Sequence, residues 1–289
     1  WDEPILVKSA KGWIDPCPFW DDDGNAYLIH AYAGSRAGFK SILAINRMSE
    51  DGTKLLDEGV IVFDGHEKHS TIEGPKLYKR NEYYYIFAPA GGVPTGWQTV
   101  LRSKSIYGPY EDKIVMDQGK TSINGPHQGA LVELESDESW FIHFQDNGVY
   151  GRIVHLQPVK WIADWPVIGV DKNNTGKGEP TLTYIKPINS INNKITTPQA
   201  TDEFNSISMG FQWQWNANHQ ASWAFNNAAD GVLRLYSVPL PEGFKNYSDL
   251  PNLLLQKFTA PDFSATTKMT FNPKIFGEEA GLIVFGGDY

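Results

Sequence analysis

Along the first 170 residues, apolar positions come in short runs rather than at helical spacing, and each run follows a polar turn. Asp21-Asp22-Asp23-Gly24-Asn25 leads into Ala26-Tyr27-Leu28-Ile29-His30. Lys79-Arg80-Asn81-Glu82 leads into Tyr83-Tyr84-Tyr85-Ile86-Phe87, and Glu135-Ser136-Asp137-Glu138 into Ser139-Trp140-Phe141-Ile142-His143-Phe144. Runs of aromatic and β-branched residues bounded by Gly, Asn and Asp predict strands joined by tight turns. Ile42–Ile45, Val60–Phe63 and Thr99–Arg102 supply further strands.

Taking Tyr27, Tyr84 and Trp140 as equivalent gives spacings of 57 and 56 residues. A period of this length built of strand and turn predicts β-propeller blades, each a four-stranded sheet. Three blades are legible, over residues 1–170. Residues 171–200 are polar and turn-rich and predict a linker or covering loop. From 201 to 289 a different pattern begins, with Phe211-Gln212-Trp213-Gln214-Trp215 alternating and Val232–Tyr236 strand-like, which predicts part of a β-sandwich. The expected class is all-β.

Composition narrows the function. A net charge of −9 with no Lys/Arg cluster argues against nucleic acid or anionic membrane as partner. No apolar run reaches the ~20 residues of a membrane-spanning helix. The single cysteine, Cys17, excludes an internal disulfide and a four-cysteine metal site. Asp21–Asn25 faintly resembles a calcium loop but lacks a glutamate at the twelfth position, and Gly91-Gly92-Val93-Pro94 lacks the lysine of a phosphate loop.

Just upstream of each aromatic strand stands a polar residue beside proline: Asp15 in Ile14-Asp15-Pro16, Glu73 in Ile72-Glu73-Gly74-Pro75, and His127 in Gly125-Pro126-His127-Gln128-Gly129. Each alone reads as an ordinary turn or a structural histidine. At matching places in three blades they converge on one mouth of the ring, which predicts a shared cleft holding two carboxylates and an imidazole.

These segments, with Ala90-Gly91-Gly92, Gly151-Arg152, His155–Val159 and Trp165–Gly169, resemble glycoside hydrolase family 43 over roughly residues 1–180. The resemblance implies a five-bladed propeller that hydrolyses arabinose- and xylose-containing glycans with inversion, as a β-xylosidase or an α-L-arabinofuranosidase. Glu73 matches the general acid, and Asp15 the carboxylate that positions the acid and tunes its protonation. Arg152 matches a substrate-binding residue. His127 matches the channel histidine, a candidate ligand of a structural calcium through water, with no cofactor required for catalysis. Trp97 and Trp20 are candidates for sugar stacking. The sandwich resembles the concanavalin-A-like domain of many relatives.

One departure stands out. The family's general base is an aspartate of the first blade, and only three blades are legible. We therefore expect the base on an absent N-terminal segment, an inactive isolated chain, and a complementary chain or segment filling the gap. The resemblance also implies a secreted or periplasmic protein acting on an oligo- or polysaccharide. A non-catalytic glycan-binding propeller is the alternative, disfavoured because recognition alone does not need the Asp15–Glu73 pair. A protein-interaction propeller of the WD type is disfavoured because no repeat ends in Trp-Asp.

Overall fold

The computed structural model describes residues 3–187, 194 and 196–286, which fall into two compact units, Trp1–Asn189 and Ser190–Tyr289. The first unit is three four-stranded antiparallel sheets, each with its strands in sequence order. Blade I holds β1 (Trp13–Trp20), β2 (Ala26–Tyr32), β3 (Ile42–Met48) and β4 (Val60–Asp64). Blade II holds β5 (Lys76–Arg80), β6 (Tyr83–Ala90), β7 (Trp97–Ser103) and β8 (Glu111–Asp117). Blade III holds β9 (His127–Glu133), β10 (Ser139–Asp146), β11 (Arg152–Ile162) and β12 (Trp165–Ile168). The turns between first and second strands are the polar clusters read from the sequence; Arg80 and Tyr83 pair across Asn81-Glu82.

The blades stack face to face, and each interface is an apolar core. Between blades I and II, Ile29, Leu43 and Ile45 meet Ile72, Ile86 and Leu101. Between blades II and III, Tyr85, Phe87 and Val100 meet Phe141, Val159 and Ile168. Burying such side chains contributes roughly 1.5–3 kcal/mol each, which is what drives sheets of this kind to pack in series. On the opposite face of blade III, Ile142, Val154 and Leu156 form an exposed apolar strip.

The stretch expected to be a linker starts as part of the blade unit. Gly178 bridges Met116 of β8 in parallel, and Glu179 bridges Val170. Asp171 closes the intervening loop by accepting from the backbone N–H groups of Asn173, Thr175 and Gly176. Residues 188–193 and 195 of that stretch lie outside the described residues.

The second unit is sparser. β13 (Gln214–Trp215) pairs with β16 (Leu254–Leu255), and β14 (Ala224–Asn227) with β15 (Val232–Leu235). These two-stranded pairs are consistent with the sheet elements of a sandwich.

Candidate active site

A β-bulge recurs in or just before the first strand of each blade and sets the site. In β1, Asp15 and Pro16 together oppose His30, between the pairs Ile14–Ala31 and Cys17–Ile29. In β9, Gln128 and Gly129 oppose His143, between His127–Phe144 and Ala130–Ile142. Blade II does the same just before β5: the Glu73 N–H donates to the Pro89 carbonyl at 3.1 Å and Lys76 pairs with Phe87, so Gly74 and Pro75 oppose Ala88. The first bulge residue has positive φ each time, 54° at Asp15, 58° at Gly74 and 36° at Gln128. A bulge with a left-handed residue bends the strand and re-aims its side chains.

This register corrects the equivalence expected from sequence. Asp15 corresponds to Gly74 and Gln128, whereas Glu73 and His127 stand one position earlier, level with Ile14. The repeat slips because the counterpart of Tyr27 and Trp140 is Tyr85, which is fully buried, and not Tyr84. A run of three tyrosines hides a one-residue shift, and in a strand that shift exchanges the two faces. The paired Ile29-His30 and Ile142-His143 would have marked the register.

The offset lets the three residues interlock. One Asp15 oxygen, Oδ2, accepts from the Gly74 backbone N–H at 2.9 Å and from Gln128 Nε2 at 3.1 Å. Asp15 thus ties blade I to the residues directly after Glu73 and His127. Glu73 Oε1 lies 2.8 Å from His127 Nε2. The Glu73 side chain is 28% exposed while that of His127 is 1% exposed, so the carboxyl reaches solvent from a buried imidazole. Gly74 is required at its place: a Cβ there would lie 2.9 Å from Gln128 Cγ on a backbone that already disfavours side chains.

Arg152, exposed at the start of β11, stacks over Phe144 at 4.5 Å, and Phe144 meets the His127 ring edge-on at 5.7 Å. Arg152 is therefore one ring away from the Glu73–His127 pair. Trp97 opens β7 opposite Ala90, at the same end of blade II as Glu73 and about two strand spacings, roughly 10 Å, out from the first strand. Its indole N–H is spent on His69 Nδ1 at 3.3 Å. Trp20 is a correction: it ends β1, roughly 17 Å along the strand from Asp15, and donates to the Glu50 carbonyl at 2.7 Å. The first strand carries Asp15 and Trp20 to opposite ends of the blade, so one mouth cannot use both.

Sequence reasoning assigned no role to Gln128, His69 or Asp112. His69 is buried, with Nε2 at 2.9 Å from Asp112 Oδ2 and Nδ1 at 3.2 Å from Thr99 Oγ1. Burial pushes the Asp112 carboxyl up, but hydrogen bonds from His69 and Lys68 outweigh it and hold the group below its ordinary value. The set has the composition of a nucleophilic triad, yet Thr99 is wholly buried and cannot meet a substrate. No local pattern announces these residues, because they meet only when the sheet forms.

His127 Nδ1 is buried without a partner, a place for a water, but no cluster of three His, Cys, Asp or Glu side chains fit to hold a metal occurs among the described residues.

Residues 1–166 match the family model described as Glycosyl hydrolases family 43, and residues 201–289 match the Beta xylosidase C-terminal Concanavalin A-like domain. A "Putative beta-xylosidase" of Xylanibacter ruminicola is 44% identical over 99% of this chain and 52% of its own length. The "Non-reducing end alpha-L-arabinofuranosidase BoGH43B" of Bacteroides ovatus is 32% identical over 76% of this chain and 42% of its own length. The solved structure of "Bacteroides ovatus Xyloglucan PUL GH43B" superposes with a TM-score of 0.73 at 24% identity, covering 90% of this chain and 50% of that one, a likeness of fold. The chain thus spans about half the length of the curated relatives it matches. With the family's segments in order around one bulged mouth, the chain belongs to glycosyl hydrolase family 43.

Proposed function

We propose that the protein carrying this chain is a glycosidase that removes xylose or arabinose units from plant glycans with inversion at the anomeric carbon. The observation that carries this reading is the Glu73 carboxyl, held by His127 at 2.8 Å and flanked by the peptide that Asp15 grips at 2.9 Å. A general acid must deliver a proton to the leaving oxygen from a fixed place. With His127 Nε2–H donating to Oε1, Glu73 keeps Oε2 for that proton. Asp15 fixes the backbone next to the acid through the Gly74 N–H. In this reading Arg152, one ring away from the pair, binds hydroxyls of the sugar undergoing cleavage.

Inversion also needs a carboxylate base roughly 6.5–9.5 Å from the acid to activate water on the other face of the sugar. We assign that base to a residue outside the three blades. The names of the relatives favour xylosides and arabinofuranosides as substrates.

The test is hydrolysis of aryl β-xyloside and aryl α-L-arabinofuranoside by the full protein and by this chain, with the anomer of the first product followed by NMR. Cleavage by the full protein with an inverted product supports the reading, and the sugar cleaved names the class. Retention of configuration would sink the inverting mechanism. Activity of this chain alone would place the base within its 289 residues.

A further inference from the structure

The connector that delivers Glu73, residues 65–73, is fixed at nearly every step. The His69 N–H donates to Gly65 O at 2.8 Å and the Ile72 N–H to His69 O at 3.0 Å, closing two successive turns. The Thr71 N–H donates to Ser41 Oγ of blade I at 2.8 Å, and Ser70 O accepts from the Gly91 N–H at 2.8 Å. Thr71 itself is held at a φ of 58°, a conformation a β-branched residue keeps only under constraint from its surroundings.

One buried side chain closes this arrangement. An indole N–H can only donate, so His69 Nδ1 accepts from Trp97 and the ring proton sits on Nε2, which donates to Asp112 at 2.9 Å. The Trp97 ring in turn lies flush on Gly91: a Cβ at Gly91 would fall 2.4 Å from its Cζ3. Gly91 is the residue whose N–H holds Ser70. Asp112, His69, Trp97 and Gly91 therefore form a loop of contacts that starts and ends on the connector, three to four residues before Glu73.

We propose that His69, oriented by Asp112, is a positioning residue for the acid: it locks Trp97 against Gly91 and so fixes the connector that presents Glu73. In this role Trp97 is a brace behind the acid and not a sugar platform. The inference rests on Glu73 being the general acid, and the experiment separates the two claims.

A displaced acid harms only reactions that need its proton. In the full protein, kcat is compared for two aryl glycosides of the sugar it cleaves, a dinitrophenyl glycoside, whose leaving group departs unprotonated, and a phenyl glycoside, whose leaving group does not. His69→Gln is expected to lower kcat for the phenyl substrate about tenfold or more and for the dinitrophenyl substrate by less than about threefold, with KM little changed. Trp97→Phe, which keeps an aromatic side chain and removes the indole N–H, should give the same bias at smaller size, and it carries the test should His69→Gln not fold. Glu73→Ala must show the largest bias. Equal losses on both substrates in His69→Gln and Trp97→Phe, with Glu73→Ala still biased, overturn the positioning role alone. An unbiased Glu73→Ala removes the acid assignment and this inference with it.

Discussion

The two units of this chain are both built of short strands, yet they differ in how much each strand settles for itself. In the blade unit every sheet is complete at four strands, and two apolar cores lie between neighbours. Among the described residues of the second unit the strands pair in twos, and Phe211 and Phe276 are exposed to the limit, at 110% and 105%. Trp223 is the one buried hydrophobic residue of that unit among the described residues. A propeller blade closes its hydrogen bonds within about fifty residues and needs only a neighbour on each face, as in other repeat folds. A sandwich must bring its second sheet before either has a core. Function follows the same division: the candidate chemistry sits where the backbone is already determined.

The contrast can be broken most decisively at Glu73. Glu73→Gln should lower hydrolysis of a phenyl glycoside by the full protein ~10²–10⁴-fold while leaving sugar affinity largely intact, as read by steady-state kinetics and calorimetry. Retained activity would move the acid elsewhere. Next comes stability. Phe141→Ala, in the core between blades II and III, should cost ~3–5 kcal/mol in urea unfolding, whereas Phe276→Ala in the second unit should stay within about 0.5 kcal/mol. Similar costs at both places would show that the second unit has a core of its own.

A pH series sharpens the same point. Burial, with His155 stacked nearby, pushes the His143 imidazole down to about 4, so the folded protein holds it neutral while the unfolded chain protonates near 6.5. Stability from this group is therefore full above pH 6.5 and is lost as pH falls from 6.5 towards 4, by up to about 3 kcal/mol. His143→Gln should flatten the pH dependence of the unfolding midpoint across that window; an unchanged slope would assign it to other groups. Gly74→Ala should cost about 1–3 kcal/mol in urea unfolding, from the strained φ and the close approach to Gln128, and lower the activity of the full protein.

Much of the blade unit was legible because aromatic strands and polar turns repeat along the chain. The candidates Asp15, Glu73 and His127 stood out because each lies beside glycine or proline just upstream of an aromatic strand, whereas Arg152 came from the family resemblance alone. The register between blades was not, because Tyr83-Tyr84-Tyr85 offers three anchors of one kind and only pairing with β5 and β7 selects among them. Trp20 misled for a related reason: five residues of strand separate it from Asp15, and nothing in composition says which end of a strand faces the mouth. The connections among Asp112, His69 and Trp97 span up to 43 residues of sequence and leave no local trace.

The recurring bulge has one more consequence. Its first residue has positive φ in all three blades, while that residue is an aspartate, a glycine and a glutamine. One bulge thus carries three residues of different reach: the carboxylate spans to blades II and III, the glycine leaves it room, and the amide meets it. The three apex residues therefore act as one lock, so a change at any of them is felt at Glu73 and His127, which stand directly before two of them.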